Sequence, residues 1–260
     1  MNKNIKIGTR GSKLSLAYAE KVRKLLLKTR KSKVGRIFIK KIKTKGDIFN
    51  KRTISEIGGK NVFCKELEEQ LSKKKIDIAI HSLKDMDSSE RKKLIIGAYI
   101  KRNDPRDVLI LKKKKKRLDK NQIILGSSSK RREFQIKNLH KNVTFKKIRG
   151  NVDTRVNKIK EGNFDGTILA MAGIKTLKLE KNISRIFNVK NIIPAAGQGI
   201  IAAQCRKKDK DIIKLLDKIN DNKTKICALA ERGILKYING DCHTAVGVFA
   251  KIIGGKIKLT

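Results

Sequence analysis

The residues best placed to do chemistry close an apolar run, Asp77-Ile-Ala-Ile-His-Ser-Leu-Lys-Asp85. Ile76 to Ile80 reads as a buried parallel strand that runs straight into a polar turn carrying His81, Ser82, Lys84 and Asp85. In open α/β sheets ligands sit at the carboxyl ends of strands, which is where these four fall. An aspartate at a strand end is by itself as readily a cap or an ion-pair partner. Its company singles it out: Arg10, Arg131, Arg132, Arg149 and Arg155 all stand at strand ends or helix starts. Together with Lys84 they would line one cleft and favour a polyanionic small molecule, each charge-assisted hydrogen bond contributing about 1.5–3 kcal/mol. Cys242, on a glycine-bearing loop beside His243, suits covalent attachment. A thiol protease is the weaker reading, because no Gln or Asn partner motif accompanies the Cys-His pair.

The elements that must position these groups are legible in outline. Asn4 to Gly8 is a strand, and Thr9-Arg-Gly-Ser12 turns into a helix over Lys13–Lys28, with Ser12 as its N-cap and an anion site at its start. Arg36 to Lys43 alternates as a strand. The segment from Asp47 to Lys60 lacks periodicity and suggests a mobile loop, and Phe63 to Leu71 reads as a helix. Strands follow at Leu94–Ile100 and Val108–Leu111, joined by the polar crossover Arg102–Asp107. Gln122 to Gly126, Ser127-Ser-Ser129 and a helix from Lys130 then repeat the opening pattern of strand, glycine, hydroxyl cluster and helix. A helix over Val152–Lys160 leads into the strand Gly166–Met171. The apolar, glycine-punctuated Asn191–Cys205 reads as a second crossover, followed by helices at 209–220 and 224–238 and a hairpin-like tail from Val246 to Leu259.

Two related α/β lobes therefore flank a central cleft, with a small α/β unit behind them. The boundaries expected are 1–101 with 200–219 for the first lobe, 102–199 for the second, hinge crossovers near 102–107 and 192–200, and 220–260 for the small unit.

Composition narrows the function. A net charge of +42 invites a nucleic-acid reading, but lysine is spread over every polar face, aromatics total 4%, and no zinc-finger or RNA-recognition signature is present. No specific nucleic-acid partner is expected; Lys112 to Arg117 reads as a solvated loop. No apolar run reaches the ~18 residues of a membrane span, no secretory leader is visible, and the spacing of the four cysteines suggests neither a disulfide scaffold nor a metal site. A cytoplasmic location without membrane partners is expected.

Ten motifs in order resemble the porphobilinogen deaminase (hydroxymethylbilane synthase) family. They are Gly8-Thr-Arg-Gly-Ser12, Thr44-Lys-Gly-Asp47, Phe63-Cys-Lys-Glu-Leu-Glu68, His81-Ser-Leu-Lys-Asp85, Asp104-Pro-Arg-Asp107, Gly126-Ser-Ser-Ser-Lys-Arg-Arg132, Arg149-Gly-Asn-Val-Asp-Thr-Arg155, Leu169-Ala-Met-Ala-Gly173, Pro194-Ala-Ala-Gly-Gln-Gly199 and Gly240-Asp-Cys242. The resemblance implies two periplasmic-binding-protein-like lobes and a small cysteine-bearing domain. It implies a transferase that joins four porphobilinogens head to tail, releasing ammonia at each addition, in tetrapyrrole (haem) biosynthesis. A dipyrromethane primer would be held by a thioether on Cys242, and six linked rings would bring twelve carboxylates. The catalytic residues implied are Asp85, Lys84 and Arg10, with Asp85 stabilising the cation left by loss of ammonia. Cofactor contacts would come from Ser12, Lys84, Asp85, Ser129, Arg131, Arg132 and Gly173, and substrate contacts from Arg10, Arg149, Arg155 and Gln198. A monomer is expected, and Asp47 to Lys60 corresponds to the family's mobile cover. Three departures stand out: Asp87 replaces a usual proline, Thr176 a usual arginine, and the Cys242 loop lacks its usual preceding glycine and following proline. The family's third domain is expected to be trimmed here.

Overall fold

The computed structural model describes residues 4–29, 35–48, 62–89, 91–112, 122–240 and 244–260. β1 (Ile5–Arg10) buries Ile5 and Ile7 and turns through Gly11 into α1 (Lys13–Lys28). Ser12 caps that helix, its Oγ accepting from the Ser15 N–H at 3.2 Å. α1 lays Ala19, Val22 and Leu26, spaced along one helical face, on the sheet. β2 (Ile37–Ile42) pairs parallel to β1, and α2 (Lys45–Ile48) follows. α3 (Lys65–Ser72) leads to β3 (Ile78–Ser82), and β4 (Leu94–Ile100) closes this half of the chain.

The chain then crosses over. β5 (Asp107–Leu111), β6 (Ile123–Gly126), α4 (Lys130–Leu139), β7 (Val143–Lys146), α5 (Val152–Glu161), β8 (Gly166–Ala170), α6 (Met171–Thr176) and β9 (Arg185–Ile186) build a second lobe. It crosses back to β10 (Ile201–Arg206) and α7 (Lys210–Asp217), which rejoin the first lobe. α8 (Asn222–Tyr237) and the hairpin β11 (Ala250–Ile253) and β12 (Lys256–Leu259) end the described chain.

The two five-stranded sheets share one plan. The first is ordered β2-β1-β3-β10-β4 and the second β7-β6-β8-β5-β9. In each, three parallel strands meet a strand that is antiparallel to both of its neighbours. β3 is thus not a strand of a purely parallel sheet. It begins two residues later than the apolar run suggests and lies between β1 and the returning β10. Asp107, read as the end of a polar crossover, opens β5 and has no exposed surface.

Both crossovers pass through one knot. Asn103 donates its N–H to the Gly199 carbonyl at 2.9 Å, and a Cβ on Gly199 (φ +83°) would meet the Asn103 oxygen at 2.7 Å. Only glycine admits that approach. Glu231 of α8, fully buried, ion-pairs with Arg102 and accepts the Gly197 and Ala250 N–H groups at 2.7 and 2.8 Å. Arg102 also donates to the Gln198 carbonyl at 2.9 Å and stacks 4.8 Å over Phe249. The C-terminal unit is in this way bonded to both interlobe passages.

Candidate active site

Asp85 ends a single 3-10 turn, Leu83–Asp85, directly after β3. The turn is closed by one internal hydrogen bond and pinned from outside by two more. Leu83 donates to the Ile200 carbonyl at 3.0 Å, Met86 to the Leu83 carbonyl at 3.1 Å, and the Cys64 thiol to the Asp85 carbonyl at 3.6 Å. The Asp85 carboxylate has no hydrogen-bond or ion-pair partner among the described residues. Its charge is felt by Tyr18, Cys64, Lys84 and Arg155, groups from both lobes. Burial pushes the Tyr18 phenol up to about 12, Asp85 adds to this, and a hydrogen bond with Thr176 across the cleft opposes it. Burial, then Asp85, Glu68 and Asp87, push the Cys64 thiol well up, so it stays neutral.

Lys84 is partly exposed as a residue, but its ammonium end is desolvated. Burial pulls it down to about 8, with Arg132 and Arg131 acting in the same sense and Asp85 and Asp107 opposing. The ammonium donates to Gln198 Oε1 at 3.4 Å.

From the second lobe, Arg131 and Arg132 stand in the first turn of α4, 4% and 6% exposed. Both pair with Asp107, at 2.8 and 2.7 Å. They also donate to main-chain carbonyls, Arg131 to Ile193 at 2.6 Å and Arg132 to Ile168 at 3.0 Å. Burial would raise the Asp107 carboxyl, but the Arg132, Arg131 and Lys84 charges hold it well below the usual carboxylate range. Arg155, half-buried on α5, donates to the Gly150 carbonyl at 2.9 Å. Burial, with Arg132 and Arg149 beside it, brings its guanidinium down to about 10, and Asp85 opposes. Neither Arg149 nor Arg155 has an acidic partner among the described residues.

These placements gather Lys84, Asp85, Arg131, Arg132, Arg149 and Arg155 into one electrostatic cluster. Arg10 lies to one side, bonded to Asp47 through Nε at 3.2 Å and through Nη2, and stacked 4.0 Å over Phe63. The Ser12 and Ser129 hydroxyls serve as helix caps, Ser129 accepting the Arg132 N–H at 3.5 Å. Gly173 is buried where the lobes meet: a methyl there would touch Val152 and Leu14 at 3.5 and 3.6 Å, ordinary contacts. Gln198 has no exposed surface, and its amide is fully engaged within the protein: Nε2 donates to Pro105 O at 2.6 Å and to Asp107 Oδ1 at 2.9 Å. The expected cover begins in α2 with Asp47 and Ile48; the rest of it, within 49–61, and Cys242 lie outside the described residues. In the sequence, Asp107 stands out only as the last residue of Asp104-Pro-Arg-Asp107, and Tyr18 only as one residue of the apolar face of α1. Two adjacent arginines at a helix start call for an anion, but nothing local says whether a ligand or a distant carboxylate such as Asp107 supplies it.

No helix among the described residues is long and apolar enough to cross a membrane. Residues 5–214 match the family described as "Porphobilinogen deaminase, dipyromethane cofactor binding domain". Among curated proteins, the porphobilinogen deaminase of Alkaliphilus metalliredigens is 40% identical, over 99% of this chain and 81% of that protein. That of Clostridioides difficile is 42% identical over 99% and 85%, and that of Ehrlichia chaffeensis 42% over 96% and 84%. Among solved structures, the Bordetella pertussis BvgS periplasmic VFT2 domain aligns with a TM-score of 0.49 at 11% identity, covering 90% of this chain and 92% of that one. A putative methionine-binding lipoprotein of Bacillus subtilis aligns with a TM-score of 0.49 at 15% identity, covering 86% and 92%. With a family match over most of its length and several relatives near 40% identity, the chain belongs to the porphobilinogen deaminase family.

Proposed function

We propose that the protein is a hydroxymethylbilane synthase, joining four porphobilinogens head to tail on a dipyrromethane primer held by Cys242. The observation that carries this is the surplus of cations around one carboxylate that has no partner among the described residues. Lys84, Arg131 and Arg132 share the buried Asp107, while Arg149 and Arg155 have no described counter-ion. A half-buried cation cluster left short of negative charge favours a ligand that brings several carboxylates. Pyrrole rings bearing acetate and propionate groups fit that donor set. When bound, the dipyrromethane supplies the free ring carbon to which the first pyrrole is joined.

The chain's own residues do the rest. Arg149 and Arg155 hold side-chain carboxylates, and Lys84 holds one beside Asp85. Arg10 stands ready at the β1 edge, braced by Asp47 and Phe63. When porphobilinogen loses ammonia, the Asp85 carboxylate faces the resulting azafulvenium cation and stabilises it at the pyrrole N–H. The same oxygen takes up and returns the proton moved during bond formation. The turn that holds Asp85 is pinned at its backbone, so its carboxylate needs little reorganisation as charge develops. We read the enzyme as a cytoplasmic monomer acting on porphobilinogen, with no nucleic-acid partner.

Intact-mass measurement tests this. The purified protein is expected to exceed its sequence mass by two pyrrole units, and Cys242→Ser to match its sequence mass. A wild-type protein of bare sequence mass that does not consume porphobilinogen overturns the proposal.

A further inference from the structure

Asp107 belongs to none of the residue sets that the motifs assign, yet it stands at the junction of all of them. It opens β5 with no exposed surface. Its Oδ2 accepts from Arg131 Nη2 at 2.8 Å. Its Oδ1 accepts from Arg132 Nη2 at 2.7 Å, from Arg132 Nε at 3.2 Å and from Gln198 Nε2 at 2.9 Å. Gln198 in turn accepts the Lys84 ammonium at 3.4 Å, from the other lobe. We propose that Asp107 is a positioning residue: it aims the Arg131 and Arg132 forks and, through the Gln198 amide, fixes Lys84 beside Asp85. This rests on the function proposed above.

A carboxylate needed only to neutralise two arginines would have no use for an amide relay. Gln198 joins the two lobes through its two ends, because Oε1 takes the donor from the first lobe and Nε2 gives to the second. The hydrogen-bond polarity leaves one arrangement: the amide cannot flip without setting its NH2 against the ammonium and its oxygen against the carboxylate. Four charged groups face Lys84. Asp85 on its own turn and Asp107 on β5 favour its cation, and Arg131 and Arg132 on α4 oppose it. Removing the Asp107 charge leaves the two arginines less opposed, so the ammonium gives up its proton at lower pH.

The test uses holoenzyme and follows kcat and kcat/KM into the alkaline range. The wild-type alkaline limb is expected near the Lys84 value of about 8. Asp107→Asn is expected to move that limb toward acid by about one unit and to lower kcat at the wild-type optimum about tenfold. Gln198→Leu keeps both arginine pairs to Asp107. It is expected to move the limb in the same direction and to lower kcat about threefold, with KM nearly unchanged, as the amide's hydrogen bonds to Lys84 and Asp107 are both lost. If Asp107→Asn does not fold, Gln198→Leu decides alone. Variants that carry the pyrrole mass and show the wild-type limb and kcat overturn the proposal. A wild-type protein without pyrrole mass or turnover overturns the underlying function first, and this role with it.

Discussion

In the first lobe, the turn after β3 delivers a carboxylate with no described protein partner. In the second, the carboxylate at the start of β5 is held by two arginines and an amide. The strand directions in the two sheets match, and β1 and β6 are each followed by a turn whose serine, Ser12 or Ser129, caps the next helix. The electrostatic roles differ. In the function proposed above, the first lobe contributes an anion that meets a transient positive charge. The second contributes cations whose own counter-ion is locked inside. One plan, used twice, thus supplies two backbone frames, and on the proposed function side chains at the strand ends divide catalysis from anchoring between them.

Substitutions at the matched ends should separate those roles. Asp85→Asn is expected to lower turnover about a thousandfold while leaving the melting temperature and the pyrrole mass unchanged, because no described partner is lost. Turnover within tenfold of wild type would remove Asp85 from the chemistry. Arg132→Met, across the cleft, strips a partner from a buried carboxylate and is expected to lose about 3 kcal/mol in urea unfolding, with reduced primer loading. An unfolding midpoint like that of wild type would mean that Asp107 is satisfied without it.

The lobe interiors differ as well. In the first, His81 bonds Gln204 at 3.1 Å, and Gln204 donates to Glu68 at 3.1 Å, whereas the second packs Leu109 against Ile168. Burial holds His81 neutral, at about 4 against an ordinary 6.5, with Arg10 helping and the Gln204 bond opposing. The unfolded chain therefore binds the extra proton between those values. The contribution is complete above about 6.5 and is lost as pH falls toward 4. His81→Gln is expected to remove about 2–3 kcal/mol of the acid-side loss in stability, read by urea titration at two pH values. An equal pH slope in both proteins would place the acid sensitivity elsewhere. The smallest effect belongs to the exposed interlobe pair Lys13–Asp153, 3.4 Å apart with Lys13 79% exposed. Lys13→Ala should change stability by less than about 0.5 kcal/mol.

Long periodic elements were legible: the helix over Lys13–Lys28 and the strand over Leu94–Ile100 stand as read. So was the end of β3 as the place where Asp85 emerges. β7 and β9 were missed, since four and two residues carry too little alternation to stand out. α6 was read into the preceding strand because Ala170-Met171-Ala172 is as apolar as β8 itself. The burial of Arg131, Arg132 and Gln198 could not be read either. Their partner Asp107 is distant in sequence, 24 residues from Arg131 and 91 from Gln198, and it sits in what looks like a polar loop. Local composition marks a charge as exposed unless its counter-ion is in view.

β10 lies at the centre of the first sheet, between β3 and β4, although it is made after the whole of the second lobe. The second sheet uses only contiguous chain, from Asp107 to Ile186. During synthesis the N-terminal half therefore waits, with the edges of β3 and β4 unpaired, until roughly one hundred further residues have left the ribosome. The later-made half completes its sheet first, and the earlier one closes around a strand threaded in last.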